Sequence, residues 1–498
     1  MIKKILIANR GEIALRIVKA CREMGIVTVA IYSEVDRNAL HVQAADEAVE
    51  IGAGPPLESY LNIPKIISAA KATKCDAIHP GYGFLAENHR FVKQCEEHGI
   101  IFIGPNSKAM KLLGDKLRAR KKMANAGIPI LPGMQSKKTA KQTWEEVAEA
   151  IGFPVMIKAS AGGGGKGMRI IHKKSDLYSA IQSGSREAKT AFGDDTIYLE
   201  KYIEKPRHVE FQVLVDLYGN NVHLFERECS IQRRHQKIVE ETPCTALSEN
   251  LRKEMGETAC KVITLSGYTN AGTVEFLLDQ NNNYYFLEVN ARIQVEHPVT
   301  ELVTGIDLVK QQIRIASGEK LDLTQEQIRQ RGHAIECRIY AEDPENHFYP
   351  SFGKLLLVKE PSGAGIRCDS GIFSGLEIPY FYDPILSKLI VWENTRLGAI
   401  RRMIAALSEY VILGVKTQIP FLQAIMAHPE FQAGNTHTHF ISEYFGDWRP
   451  VKNEQNLKIA LLGAALKKLT PMGGRKPAEV QRIPTPWETI GKWELLSN

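Results

Sequence analysis

Between Phe286 and Pro298 the chain reads Phe-Leu-Glu-Val-Asn-Ala-Arg-Ile-Gln-Val-Glu-His-Pro, with Glu288, Asn290, Arg292, Gln294 and Glu296 at every second position. A strand's two-residue period sends all five to one face. Thr273-Val-Glu-Phe-Leu-Leu-Asp279 alternates as well, and Gln280-Asn281-Asn282-Asn283 between the two segments reads as a four-residue hairpin turn. Closing that hairpin symmetrically sets Glu275 directly opposite Glu288. Like charges facing each other across a ladder destabilise it, so the pattern makes physical sense if a hard cation sits between the carboxylates. Mg²⁺, which takes one or two carboxylates and completes its octahedron with water and phosphate oxygens, fits best. On this reading the hairpin floors a nucleoside-triphosphate site, and Arg292 and Glu296 further along the face serve chemistry on a second substrate. A solvated polar strand face is the competing reading.

A chain of 498 residues has room for roughly three domains. Its 63 basic and 57 acidic residues are dispersed, which points to local anion sites and not to a nucleic-acid or membrane surface. The eight cysteines never occur as C-x-x-C, so reduced thiols in a cytoplasm are expected. No apolar run approaches the roughly 18 residues of a membrane span, and the N-terminus runs directly into a strand. A cytoplasmic protein is the expectation.

Residues 5–8 and 28–32 read as strands around a helical stretch at 12–24, a βαβ opening with a parallel sheet. The turn Asn9-Arg10-Gly11-Glu12 has one glycine where G-x-G-x-x-G is needed, which argues against a dinucleotide site. A second unit opens at Gly114-Asp115-Lys116. It includes the strand Val155–Lys158 leading into Ser160-Ala-Gly-Gly-Gly-Gly-Lys-Gly-Met168, then strands near 197–200, 209–215 and 222–226 before the hairpin. A third, mixed unit begins near residue 330 with Gly332-His-Ala-Ile-Glu-Cys-Arg-Ile-Tyr340. Asn456–Leu469 fits an amphipathic helix packed as an extension, with Leu457, Leu461, Leu462, Ala465, Leu466 and Leu469 as its apolar face, and a mobile Pro/Gly/basic stretch follows.

Four consecutive glycines, Gly162–Gly165, followed by Lys166, leave backbone N–H groups free to surround phosphate oxygens, although the spacing is not a Walker A. Their place between two strands argues for a strand-loop-strand flap over a ligand. Lys116 and Lys158, at element boundaries, are candidate phosphate cations. The basic run Glu228-Cys-Ser-Ile-Gln-Arg-Arg-His-Gln-Lys237 lacks the aromatic interleaving of nucleic-acid platforms and is followed by Glu240-Glu241. Small anions such as phosphate or bicarbonate, held by His235 and Lys237 with Arg292 opposite, explain it better.

These motifs resemble biotin carboxylase, the ATP-grasp component of biotin-dependent carboxylases, over residues 1 to about 446. The resemblance rests on Ile7-Ala-Asn-Arg-Gly-Glu-Ile13, His79-Pro-Gly-Tyr-Gly-Phe-Leu85, Gly114-Asp-Lys116, Lys158 to Met168, Gln232-Arg-Arg-His-Gln-Lys237 and Glu288 to Pro298. It implies an α/β and α+β architecture: a Rossmann-like domain at 1–114, an ATP-grasp domain at 115–320 with a mobile glycine-rich lid at about 131–203, a mixed C-terminal domain at 330–446, and an extension at 447–498. The implied reaction has ATP phosphorylate bicarbonate, and the carboxyphosphate yields CO₂ that the ureido nitrogen of biotin captures.

By the same resemblance Lys116, Lys158, Gly163, Gly164, Gly165, Lys166, Met168, His208, Gln232 and His235 contact the nucleotide, and Glu200, Lys201 and Ile203 face the adenine. Glu275 and Glu288, with Asn290 close by, hold Mg²⁺ or Mn²⁺, the pair that the hairpin register selects independently. Lys237, Arg292, Gln294 and Val295 match the bicarbonate site, and Tyr82 belongs with the bicarbonate and biotin contacts. Glu296 matches the base that deprotonates bicarbonate, and Arg338 the cation that stabilises the biotin enolate. The physics agrees, since a guanidinium offsets charge developing on the ureido oxygen, and a carboxylate flanked by Arg292 stays ionised and available as a base.

Two departures from the family pattern, Pro243-Cys-Thr-Ala after Glu241 and Gln418 after Lys416-Thr417, bear on local packing. Ala109-Met110-Lys111-Leu112 superficially resembles a biotinylation loop but lies in a helical run, so biotin is expected on a separate biotin carboxyl carrier protein, served by a separate carboxyltransferase subunit that selects the final acceptor. A homodimer is implied, with Glu23 and Arg367 at its interface positions; the helix at 456–469 could dock a partner subunit. The rival readings are another ATP-grasp ligase with an amine or carboxylate acceptor, and a non-catalytic ATP-binding module.

Overall fold

The structure is a computed structural model that describes residues 2–135, 144–159, 168–192, 195–450 and 454–469. Strands β1 (Lys4–Ile7), β2 (Val27–Ser33), β3 (Glu47–Gly52), β4 (Ala77–His79) and β5 (Ile101–Phe102) form a parallel sheet in the order β3-β2-β1-β4-β5. Ile5, Leu6 and Ile7 are all fully buried, as a strand covered on both faces requires. Each such side chain contributes about 1.5–3 kcal/mol of burial. This Rossmann-like unit starts its first helix, Gly11–Glu23, at a glycine with φ +65°, a conformation that other residues adopt only at a cost. Beside it, Asn9 Nδ2 donates to the carbonyls of Pro80 and Tyr82 at 2.7 Å each, fixing the Tyr82 loop against the first turn.

A four-stranded sheet follows, made of β6 (Gly133–Gln135), β7 (Val155–Ala159), β8 (Arg169–Ile171) and β9 (Ile197–Lys201) in the order β6-β9-β7-β8. It has its own small core of Val147, Val155, Ile157, Leu177 and Leu199. The residues that flank the glycine run are paired antiparallel, Ile157 opposite Arg169, as the strand-loop-strand reading expects. Gly162, Gly163, Gly164, Gly165, Lys166 and Gly167 themselves lie outside the described residues.

The main sheet gathers β10 (Arg207–Val215), β11 (Asn221–Arg233), β12 (Gln236–Thr242), β13 (Asn270–Leu278), β14 (Tyr284–Asn290), β15 (His333–Tyr340) and the strands Ile366–Ser370 and Ile385–Glu393. Its order is β14-β13-β10-β11-β12-β15, then Ile385–Glu393, then Ile366–Ser370. The region beginning near residue 330 therefore continues the same sheet through the β12–β15 pairing, where Val239 lies opposite Cys337. The run at 228–237 is likewise a β-hairpin: β11 extends to Arg233, and Arg234 and His235, both with positive φ, form its two-residue turn.

In the β13–β14 hairpin Glu275 does lie opposite Glu288, but not by a symmetric closure. Next to the turn the pairs are Leu278 with Tyr284 and Leu277 with Tyr285, one residue off the expected register, so the loop has five residues. Asp279 explains the extra one, because its Oδ1 accepts from the N–H groups of Asn281 and Asn283 at 2.8 Å each. A bulge then absorbs the offset between Phe276 and Glu275, leaving Leu287 unpaired and restoring the glutamate pair.

The expectation of one strand from Phe286 to Glu296 is overturned, since β14 ends at Asn290. The Ala291 N–H donates to Glu87 Oε1 at 2.9 Å instead of continuing a ladder, and Pro298 lies near the start of the helix His297–Thr304. The C-terminal helix spans Glu454–Leu469. Leu457, Ile459, Leu461, Leu462 and Leu466 on it are exposed.

Candidate active site

One row of side chains crosses four strands of the main sheet: Glu288 opposite Glu275, Glu275 opposite Glu210, and Glu210 opposite Arg227. Three acids and one arginine in adjacent positions demand further cations. Arg227 is fully buried and donates through Nε to Glu210 Oε1 at 2.6 Å, through Nη1 to Gln212 Oε1 and Thr300 Oγ1 at 2.9 Å each, and through Nη2 to Thr273 Oγ1 at 3.2 Å. It clamps the 297–304 helix onto the sheet.

The second cation is Lys237, in β12 just past the Arg234-His235 turn. Its Nζ donates to Glu210 Oε2 at 2.6 Å, Glu296 Oε1 at 2.8 Å and Glu275 Oε1 at 2.9 Å, exhausting its three donors. Burial opposes the charge, but the three carboxylates outweigh it and hold the ammonium's pKa well above the ordinary lysine range. His208 Nε2 also lies 3.1 Å from Glu275 Oε2, and His208 Nδ1 accepts from Gln232 Nε2 at 2.8 Å. Burial would raise the Glu275 carboxyl; Lys237 and His208 instead keep it well below the usual carboxylate range.

Glu296 occupies the N-cap position of the 297–304 helix yet makes no capping bond. Its carboxylate is engaged elsewhere: Oε1 by Lys237, and Oε2 by Arg338 Nη2 at 2.9 Å. Fully buried, it would titrate high, but Lys237, Arg338 and Arg227 hold it well below the ordinary range. The flanking cations are thus Lys237 and Arg338, and not Arg292 as the sequence suggested. Arg292 turns to Glu87 Oε2 at 3.0 Å, Gln294 Oε1 at 2.7 Å and Asn290 Oδ1 at 3.2 Å. Gln294 reaches Glu275 Oε1 at 3.4 Å, and the Val295 carbonyl accepts from Lys388 Nζ at 2.9 Å. Tyr82 donates to Glu12 and places its ring 5.8 Å from Lys388 Nζ.

Toward the four-stranded sheet, Lys116 begins the helix Lys116–Asn125, whose N-cap Asp115 accepts from the Arg118 N–H at 3.0 Å. Its Nζ meets Glu288 Oε2 at 2.5 Å, and despite burial its pKa is raised by that carboxylate. Lys158, in β7, pairs with the buried Glu200, which also takes Arg120 Nη1 at 2.8 Å. His235 is held below the usual imidazole range by burial and by the nearby Lys158 charge. Lys201 Nζ is tied to the Gly152 carbonyl at 2.9 Å and the Phe153 carbonyl at 3.3 Å, while Ile203 and Met168 are half-buried.

The structure thus gathers Lys237, Glu275, Glu296, Arg338, His208 and Gln232 into one buried polar cage, with Arg292, Asn290 and Gln294 at its edge. Glu210, Arg227 and Glu240 belong to the same cage and Glu87 braces its edge through Arg292; all four were missed. Glu210 carried a signal: His208, Glu210 and Gln212 alternate with Val209, Phe211 and Val213 in an otherwise apolar strand. For a divalent cation the donor set at Glu275, Glu288 and Asn290 is all oxygen, as Mg²⁺ and Mn²⁺ prefer, and lysines already balance both carboxylates. The tightest ligand-like groups among the described residues are His208, Glu210 and Glu275, and Glu210, Cys229 and Glu296; neither includes Glu288.

Three family models cover most of the chain: biotin carboxylase N-terminal domain over residues 1–110, the ATP-binding domain of the carbamoyl-phosphate synthase L chain over 115–324, and biotin carboxylase C-terminal domain over 336–443. The chain is 54% identical over 444 residues to one of the pyruvate carboxylase subunits of Methanothermobacter thermautotrophicus, covering 89% of this chain and 90% of that protein. It is 54% identical to the biotin carboxylase of a Nostoc species over 88% of this chain and 98% of the relative. Among solved structures, the biotin carboxylase domain dimer of Hydrogenobacter thermophilus 2-oxoglutarate carboxylase, in complex with MgADP, ADP and bicarbonate, superposes with a TM-score of 0.85 at 49% identity, covering 91% of this chain and 100% of that one. A cage built from one acidic row and its matched cations, set in a sheet of this topology and matched over nine-tenths of its length, means that the chain belongs to the biotin carboxylase family.

Proposed function

We propose that this chain uses ATP and bicarbonate to carboxylate the ureido nitrogen of biotin borne by a separate carrier protein, through carboxyphosphate, and that a separate carboxyltransferase uses the product. The observation that carries this reading is Glu296, a buried carboxylate held between Lys237 and Arg338. In the resting cage it is too strongly paired to take a proton. A small anion such as bicarbonate, entering beside it, competes for the same two cations, loosens both pairs and raises the proton affinity of Glu296. The base is thereby switched on by its own substrate. Arg338, released in the same event, can then meet the oxyanion that develops on the biotin ureido oxygen.

Nucleotide binding fits the other end of the row. Lys116 and Lys158 offer phosphate cations, with His208, Gln232, His235 and Met168 nearby, and Glu200, Lys201 and Ile203 supply the adenine side. Glu275 and Glu288, with Asn290, would hold Mg²⁺ or Mn²⁺, which when bound offsets phosphate charge and orients the terminal phosphoryl group. Arg292, Gln294, Val295 and Tyr82 complete the bicarbonate and biotin side. The proposed divisions are 1–114, 115–320, 330–446 and 447–498. The Hydrogenobacter relative is described as a dimer, and this reading extends a homodimer to the present chain. No described helix is long and apolar enough to cross a membrane.

The decisive assay is ATP cleavage stimulated by free biotin in the presence of bicarbonate. Glu296→Ala and Arg338→Ala each lower that stimulated rate by about a hundredfold or more; near-wild-type rates in either variant would refute the assigned roles. Stimulation by an amine or carboxylate acceptor in place of biotin would transfer the chain to another ATP-grasp ligase activity.

A further inference from the structure

Behind Arg338 lies a second pair of acids that the reaction as described does not use. Glu240 in β12 and Glu336 in β15 are directly opposite in the antiparallel ladder, and both are fully buried. Opposed side chains in such a ladder have Cβ atoms about 4.5–5.5 Å apart. The face of β15 that carries Glu336 is sealed by the 297–304 helix, where Ala334 packs with Val299, Val303 and Ile390. Among the described residues one oxygen of this pair is satisfied: Glu240 Oε1 accepts from Arg338 Nε at 2.6 Å. Glu240 Oε2 and both oxygens of Glu336 have no hydrogen-bond partner among the described residues.

The charged neighbours of Glu336 are all committed elsewhere. Arg338 serves Glu240 and Glu296. Lys388, opposite Arg338 on the next strand, donates to the Val295 carbonyl and lies 3.3 Å from Glu12 and 3.8 Å from Asp369. Lys237 is exhausted by its three carboxylates, and His297 on the sealing helix is kept neutral by burial and by Lys388. Burial, opposed by Lys388 and reinforced by the Glu240 charge, leaves Glu336 titrating well above the ordinary range, and burial pushes Glu240 up to about 7. Opposed carboxylates in an enclosed site with one cationic contact between them disfavour double ionisation.

We propose that Glu240 and Glu336 hold one proton between them, as an acid pair of single negative charge, and that this pair is the positioning element for Arg338. The proton sits between Glu336 and Glu240 Oε2, which leaves Glu240 Oε1 anionic toward the guanidinium. Glu240 then competes with Glu296 for Arg338, so the guanidinium is shared and not locked onto the base. This role rests on the function proposed above, whereas the shared proton is a property of the resting protein.

Infrared difference spectra of the full chain at neutral pH, wild type minus Glu336→Gln, test the proton. The proposal expects a protonated-carboxyl C=O band that shifts on deuterium exchange; a difference containing only an ionised-carboxylate band overturns it. Glu240→Gln tests the positioning role, with kcat for biotin-stimulated ATP cleavage falling about tenfold and KM for ATP staying within about twofold. Arg338 is then left to Glu296 alone, so the acid limb of the kcat profile moves to lower pH. Glu240→Asp, which keeps the charge, recovers part of the rate. An unmoved acid limb, or equal losses in the Gln and Asp variants, overturns the role. A wild-type chain with no biotin-stimulated cleavage would defeat the proposed function, and the infrared result would still decide the pair.

Discussion

The β13–β14 and β12–β15 ladders belong to one sheet, and each sets a glutamate directly opposite another. At Glu275 and Glu288 the repulsion is met by a lysine on each side: Lys237 on one carboxylate, with His208 Nε2 3.1 Å away, and Lys116 on the other. Glu288 is 31% exposed, so solvent, phosphate and metal can exchange with those lysines. At Glu240 and Glu336 there is no exposure and a single cationic contact for two acids. The backbone geometry is the same, and the surroundings decide the outcome. Opposed acids beside exchangeable cations suit a metal and its phosphates, whereas opposed acids sealed under a helix suit a proton.

The contrast breaks most visibly at Glu288. Glu288→Lys puts a fixed cation beside Lys116 and opposite Glu275, so the exchangeable end of the row loses its acid and gains repulsion. ATP cleavage under saturating Mg²⁺ is expected to fall by about a hundredfold or more. A variant that keeps a tenth of the wild-type rate would show that the ladder opposition at this site has no role in nucleotide turnover.

Glu241, the neighbour of Glu240, sharpens the comparison through stability. Its side chain receives His333 Nε2 at 2.7 Å and Arg396 Nε at 2.7 Å, and these partners overcome burial to bring it down to about 2. A carboxyl whose folded pKa is depressed stabilises the fold above its unfolded pKa of about 4.3, and that contribution is lost as pH falls toward 2. Glu241→Gln is therefore expected to cost about 3 kcal/mol at neutral pH. The deficit in unfolding midpoint narrows below about pH 4. Glu336 has the opposite sign, since a raised pKa penalises the fold as pH rises, so Glu336→Gln gains on the wild type in alkaline buffer. Parallel pH profiles for the two variants would show that the two acids share one environment.

Much of this site was legible because strand alternation is local. Glu275 and Glu288 could be matched across a short hairpin, and the parallel βαβ opening showed in the spacing of its apolar residues. What could not be read was non-local. Strand β10 lies between β13 and β11, an order no periodicity reveals, so Glu210 and Arg227 were missed although they complete the row. Glu296 looked like the partner of Arg292 four residues away, whereas its actual cations are 59 and 42 residues distant in sequence. The alternation from Glu288 to Glu296 also concealed a change of structure: strand as far as Asn290, then an irregular turn into a helix. The sequence pattern persisted because both halves face the same cage.

The smallest expected effect concerns how the first ladder keeps its register. Asp279 holds the five-residue loop through two backbone N–H groups and through Asn283 Nδ2 at 2.9 Å. Asp279→Ala removes those exposed bonds at a cost of about 1 kcal/mol. Without them the loop can close symmetrically with four residues, which would slide Leu278 and Leu277 by one position and dissolve the bulge at Leu287. Glu275 stays opposite Glu288 in either arrangement, because the bulge and the longer loop cancel. A slightly lower unfolding midpoint with an unchanged KM for ATP is the expected result. A raised KM would mean that the bulge itself, through the way it tilts the end of β14, sets the spacing of the two carboxylates.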